Sequence, residues 1–150
     1  MSVKKVKVEI DIVCRHDVKP NSPVKLDKSN KDALEWKVKN DCLQGQKVLF
    51  CVYDFTTGDL VVPPPFGPCT SDPPGLEIGK AFLVKSNDEA KLKCTARVRG
   101  KYKKLVLVGG EVPPGGCPPR LSLLEGTPCL NPGAPQDKIL THRLDVEIIP

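Results

Sequence analysis

Aromatic residues are scarce in this 150-residue chain, at 5% of positions, and it holds one Trp, one Met and two His. Single-stranded nucleic acid is gripped by stacked aromatics interleaved with Arg, so the scarcity argues against that partner class. No apolar run approaches the ~18 residues that cross a bilayer, so no membrane span is expected. Met1-Ser2-Val3-Lys4-Lys5 passes straight into polar–apolar alternation, without the continuous apolar stretch of a signal peptide. That start predicts a cytoplasmic protein if Met1 is native; the alternative is a periplasmic or secreted one whose signal has been removed. Phosphate-binding glycine loops, nucleophile elbows and zinc-protease helices are missing, as are helical apolar stripes and internal repeats. Asp54, Asp59, Asp72 and Glu77 have no His or nucleophile near them in sequence, and solvation accounts for them. The expectation is a chain that is not an enzyme and has no cofactor.

Proline and glycine, by contrast, are abundant: 16 Pro and 12 Gly, with 39% hydrophobic and 27% charged residues around them. The length suits one domain, residues 1–150, with a core of its own. Much of the Pro and Gly falls in two blocks, at about 56–79 and 109–136, which read as long stiff loops. Net charge is +5 and mostly Lys, a residue that also serves to blunt exposed sheet edges. It identifies no partner.

Between the blocks the chain alternates. Val6, Val8, Ile10 and Ile12 are separated by Lys7, Glu9 and Asp11, and Leu34, Trp36 and Val38 by Glu35 and Lys37. Leu92, Cys94, Ala96 and Val98 repeat the pattern, as do Leu144, Val146 and Ile148. A period of two marks strands with one buried face. Shorter strands are expected at Val24–Leu26 and Ala81–Val84, and another at Tyr102–Val108. The stretch Val48 to Tyr53 is apolar on both faces, which predicts a central strand or one lying under a loop. Seven or eight strands result, and with them an all-β sandwich or barrel.

Several of these strands carry a resemblance. Leu34-Glu35-Trp36-Lys37-Val38-Lys39-Asn40 is similar to the hydrophobic-x-Trp-x-Val-x-Asn strand of cupredoxin-like domains. Gly100-Lys101-Tyr102-Lys103-Lys104-Leu105-Val106-Leu107-Val108 resembles their Gly-x-Tyr-x-Tyr-x-Val strand, and Leu144 to Pro150 their closing strand. The likeness covers most strands and neither long loop. It implies a Greek-key β-sandwich of cupredoxin-like type, with an immunoglobulin-like sandwich as the alternative. The family's copper site needs two His, a Cys and usually a weak axial Met. Here Asp41 to Lys47 holds no His, Cys94 is followed by Thr95-Ala96-Arg97-Val98-Arg99, and the sole Met is Met1. His16 and His142 fall near opposite strand ends. A copper-free variant is expected.

Three groups of residues stand out. Seven Cys leave at least one unpaired within the chain. Cys14 and Cys94 share the apolar parity of their strands and read as small core residues. Cys42, Cys51, Cys69, Cys117 and Cys129 are candidate disulfide or loop thiols. Cys51 could reach a covering loop, and Cys117–Cys129, Cys51–Cys69 and Cys42–Cys51 are possible bridges. No pair has the close spacing of a zinc site, and no metal is expected. Val61, Val62 and Phe66 form a candidate interaction loop, free to dock on a protein or to fold back as a lid. Lys91, Lys93, Arg97, Arg99 and Lys103 form a basic face around one supposed hairpin, most simply a solvated one. The expected function is a non-enzymatic binding or interaction module, whose partner is another protein or a second copy. A self-associating structural subunit and a thiol-based metal-binding or redox protein are the alternatives.

Overall fold

Strands with one apolar and one charged face must pair those apolar faces, and two stacked sheets achieve it. A computed structural model describes residues 5–12, 24–41, 44–109, 113, 115–124 and 140–150. These residues form an all-β sandwich of nine strands, with one short 3-10 turn at Leu121–Leu124. One sheet runs in the order β1 (Lys5–Ile12), β3 (Ala33–Asn40), β7 (Glu89–Ala96) and β5 (Phe66–Asp72). The other runs β2 (Val24–Asp27), β9 (Leu140–Ile149), β8 (Gly100–Val108), β4 (Gln46–Asp54) and β6 (Phe82–Val84). β1 lies parallel to β3 and β2 parallel to β9; the other neighbours are antiparallel.

The ninth strand lies inside the block expected to be irregular. β5 occupies Phe66–Asp72, with a register shift between Phe66 and Cys69 around Gly67-Pro68. Proline cannot donate to a ladder, so strands tolerate it at edges and bulges, and β5 is both an edge strand and bulged there. Ser71 Oγ accepts from the Leu76 amide at 3.1 Å and donates to the Pro73 carbonyl at 2.9 Å, folding the next residues back on the strand.

Alternation places Leu34, Trp36 and Val38 of β3 and Ala90, Leu92, Cys94 and Ala96 of β7 against Val48, Phe50 and Val52 of β4 and Leu144, Val146 and Ile148 of β9. Trp36 stacks on Phe50 at 5.2 Å between centroids and meets Phe66 edge-on at 5.6 Å. β4 and β8 are buried on both faces. Leu49, Cys51, Tyr53, Leu105 and Leu107 form a second apolar cluster on the outer side, covered by Leu60, Cys117 and Leu121. The cover is fastened three ways: the Tyr53 hydroxyl donates to the Pro118 carbonyl at 2.9 Å, the Leu121 amide to Gly58 at 2.7 Å, and Cys51 is bonded to Cys117. Burial pushes the Tyr53 hydroxyl pKa up to about 12.

One cation is fully buried among the described residues. Lys104 shares the inward parity of Tyr102 and Val106 and is 0% exposed. Its Nζ stands 4.7 Å from the Trp36 ring centroid and, like Trp36 Nε1, has no hydrogen-bond partner among the described residues. Burial holds its pKa well below the usual lysine value. In the pH range between that lowered value and the ordinary ~10.4, the unfolded chain binds a proton that the folded chain does not. Stability must therefore rise with pH across this range. Lys104→Met is expected to raise unfolding stability at neutral pH by about 1–3 kcal/mol. It should also flatten the rise on the approach to the ordinary lysine pKa of ~10.4, as read by urea denaturation. An unchanged slope would contradict this account of Lys104.

Candidate interaction surface

The chain leaves β4 through a tight turn in which Asp54 Oδ1 accepts from the Thr56 and Thr57 amides, both at 2.9 Å. Those two bonds lower the Asp54 carboxyl pKa. The Val61 amide then returns to the Val52 carbonyl at 3.0 Å, and the Val61 side chain packs on the main core. Phe66, 3% exposed, sits in that core as the first residue of β5. Of the three residues expected to form an interaction loop, only Val62 points outward, 76% exposed, beside exposed Pro63. Val61 and Phe66 anchor the loop and close the core beneath it. Folding back and presenting a tip are thus done by different residues of one loop.

A second segment meets this one. Residues 97–99 carry the chain from β7 in one sheet to β8 in the other. The Arg97 and Val98 amides donate to the Pro65 carbonyl at 2.9 and 3.1 Å, and Arg97 Nη2 donates to the Pro64 carbonyl at 2.7 Å. From the other side, the single Tyr102 hydroxyl proton is shared between the carbonyls of Val98 and Arg99, at 2.9 and 3.1 Å. Gly100 fits at φ 151°, where a Cβ would lie 2.8 Å from the Tyr102 hydroxyl oxygen. One end of the sandwich therefore presents exposed Val62, Pro63 and Val98 beside exposed Arg97 and Arg99, on backbone tied down at several points.

The remaining basic residues are dispersed. The expected hairpin does not exist, because β7 and β8 belong to different sheets. Lys91 and Lys93 lie on the outer face of the four-stranded sheet. There Glu89 takes both Lys37 and Lys91, at 3.4 and 3.8 Å, and Lys5 meets Glu35 at 3.3 Å. Lys103 lies on the outer side of the other sheet, its Nζ 5.1 Å from the Phe55 centroid. The four-stranded face is a lattice of mixed charge, worth little individually per pair.

Cysteine pairing also departs from expectation. Cys51 is bonded to Cys117 and Cys69 to Cys94. Cys51–Cys69, Cys42–Cys51 and Cys117–Cys129 are therefore not formed. Cys94 is fully buried, yet it is half of a bridge and not a core thiol. Cys69 and Cys94 face each other in the β5–β7 register, a proximity hidden until β5 is known to be a strand. Cys14, Cys42, Cys129 and His16 lie outside the described residues; His142 is placed by its backbone, opposite Val106. Among the described residues, no three of His, Cys, Asp or Glu gather where they could hold a metal ion. No helix among them is long and apolar enough to cross a membrane.

No protein-family model matches the chain. No curated protein matches it either. Among solved structures it is similar to the ASH / PapD-like domain of human CEP192 (PapD-like domain 7), at 12% identity and a TM-score of 0.32, over 97% of this chain and 80% of that one.

The Tyr102 hydroxyl pKa is raised, first by burial and second by the negative charge of Asp54. Its hold on residues 97–99 is therefore complete below the ordinary tyrosine pKa and weakens as pH rises above it through the folded value. Tyr102→Phe is expected to cost about 1 kcal/mol in urea denaturation. Amide exchange should quicken at 97–100 and stay slow in β3; a uniform change across both sheets would refute this local role.

Proposed function

We propose that the chain is a non-enzymatic interaction module that docks a protein partner at the sandwich end built from Val62, Pro63, Val98, Arg97 and Arg99. The observation that carries the reading is the exposure of Val62, 76%, on a loop whose two ends are fixed by Val61 and Phe66. An apolar tip on a rigid base can be desolvated at little entropic cost, and Arg is enriched where protein surfaces meet. The partner chemistry that fits is an apolar recess with acidic residues at its rim. The scaffold is read as a Greek-key sandwich of cupredoxin type that carries no copper; parallel pairing of β1 with β3 and of β2 with β9 supports this assignment. The two disulfide bonds among the described residues favour an oxidising compartment over the cytosol.

The test places a photo-crosslinking residue at position 62 in one preparation and Val62→Asp in another. The crosslinker should capture a protein partner. Val62→Asp should lose that partner while keeping the wild-type melting temperature, and Arg97→Ala should weaken the complex by about tenfold. Equal binding by Val62→Asp would end the proposal. A sedimentation coefficient that grows with concentration, unaffected by Val62→Asp, would instead select self-association.

A further inference from the structure

The two described disulfides differ in what shields them. Cys51 is 0% exposed and Cys117 is half-buried, and their bond packs against the cluster of Leu49, Tyr53, Leu60, Leu105, Leu107 and Leu121. The Cys69–Cys94 bond has one end in the dry core and one end in water: Cys94 is 0% exposed among core residues, whereas Cys69 is exposed. Cys69 also lines an open groove between β5 and the folded-back residues 74–78, with Pro64, Ser71, Leu76 and Ile78 around it. Thiol–disulfide exchange requires a thiolate to reach one sulfur while the other leaves, so access decides which bond reacts and at which atom.

We propose that Cys69 is a thiol-exchange site, at which a small thiol or a dithiol reductant attacks through the groove and opens the Cys69–Cys94 bond. The attacking thiolate sulfur bonds Cys69 Sγ, and the electron pair of the old S–S bond goes to Cys94 Sγ. Cys94 then takes a proton and remains as a thiol in the core, among Leu92 and Ala96, where an apolar setting disfavours its thiolate. A second thiolate attacks the mixed disulfide, leaving the oxidised reductant and a free Cys69 thiol. Two thiols are oxidised to one disulfide, and one protein disulfide is reduced to two thiols. The exchange requires nothing of the docking surface proposed above, although Pro64 and Phe66 belong to both the groove and the loop that carries that surface.

Exchange there acts on β5. Phe66 is the strand's one fully buried residue, and Pro68, Cys69, Thr70 and Asp72 are exposed. With the bond open, Phe66 and the backbone ladder to β7 are left to hold an edge strand that nothing else in the sheet covers.

The experiment titrates the folded, oxidised protein with reduced glutathione, quenches in acid, alkylates free thiols and maps every cysteine by peptide mass. Expected are glutathione on Cys69, a free Cys94 and an intact Cys51–Cys117 bond, with the exposed bond opening at least about ten times faster than the covered one, since the covered one must first open locally. Amide exchange should rise in 68–72 and stay unchanged in β3 and β4. Glutathione on Cys94 in place of Cys69 would overturn the proposal. So would opening of Cys51–Cys117 at the same rate or sooner. The wild-type map decides the matter without relying on a variant; a folded Cys94→Ser protein should add a single mixed disulfide at Cys69 on exposure to oxidised glutathione, and failure to do so would count against the site.

Discussion

The main core of this sandwich is packed around one large ring. Trp36 stands at the middle of β3, and the side chains that fix its position come from both sheets: Phe50 stacked on it, Phe66 at its edge, Lys104 over its face. An aromatic side chain of that size buries more area than any aliphatic neighbour, and its rigid outline dictates what can pack beside it. Phe66 must enter the core to complete the packing. That requirement pulls the proline-rich loop against the sandwich and starts β5 where the composition alone would have placed irregular chain. The loop then meets residues 97–99, and the exposed end of the molecule takes its shape from a contact made in the interior.

The five-stranded sheet is covered twice, once by the other sheet and once by the stretch around Cys117. A strand such as β4 can be apolar on both faces only when both faces are roofed. Among the described residues, Leu60, Cys117 and Leu121 of this second roof face five sheet residues. A covalent bond and the Tyr53 hydroxyl fasten it there. The disulfide here closes a loop of sequence separation 66, the kind of long closure that most restricts an unfolded chain.

Most of the strands were legible because alternation is a local signal: β3, β7 and β9 each declare a buried face within eight or so residues, and the doubly apolar run in β4 announces its double cover. What stayed hidden was settled by partners distant in sequence. β5 contains a Gly-Pro pair that breaks any strand pattern, and only its place at a sheet edge makes the pair acceptable. Cys69 and Cys94 become neighbours through that strand. Lys104 follows directly on Lys103, so composition reads the two as one solvated pair; the parity of Tyr102 and Val106 pointed inward for Lys104, but hydropathy spoke against it. The meeting of Arg97 with Pro64 and Pro65 had no local signal at all, since a charged side chain and two carbonyls separated by over thirty residues leave no shared pattern.

The parallel pairing of β2 with β9 has a consequence for the order in which the molecule can be assembled. Val24 pairs with Val146, a partner that a ribosome makes roughly 120 residues later. One margin of the five-stranded sheet therefore waits, with its backbone groups unmatched, while nearly all the rest of the fold is synthesised. A nascent chain built this way exposes an open ladder for seconds, at about 5–20 residues per second, long enough for intruding strands from other chains to compete for the place. The brevity of β2, four residues, is then a safeguard, since a ladder that short gives an intruder little to hold.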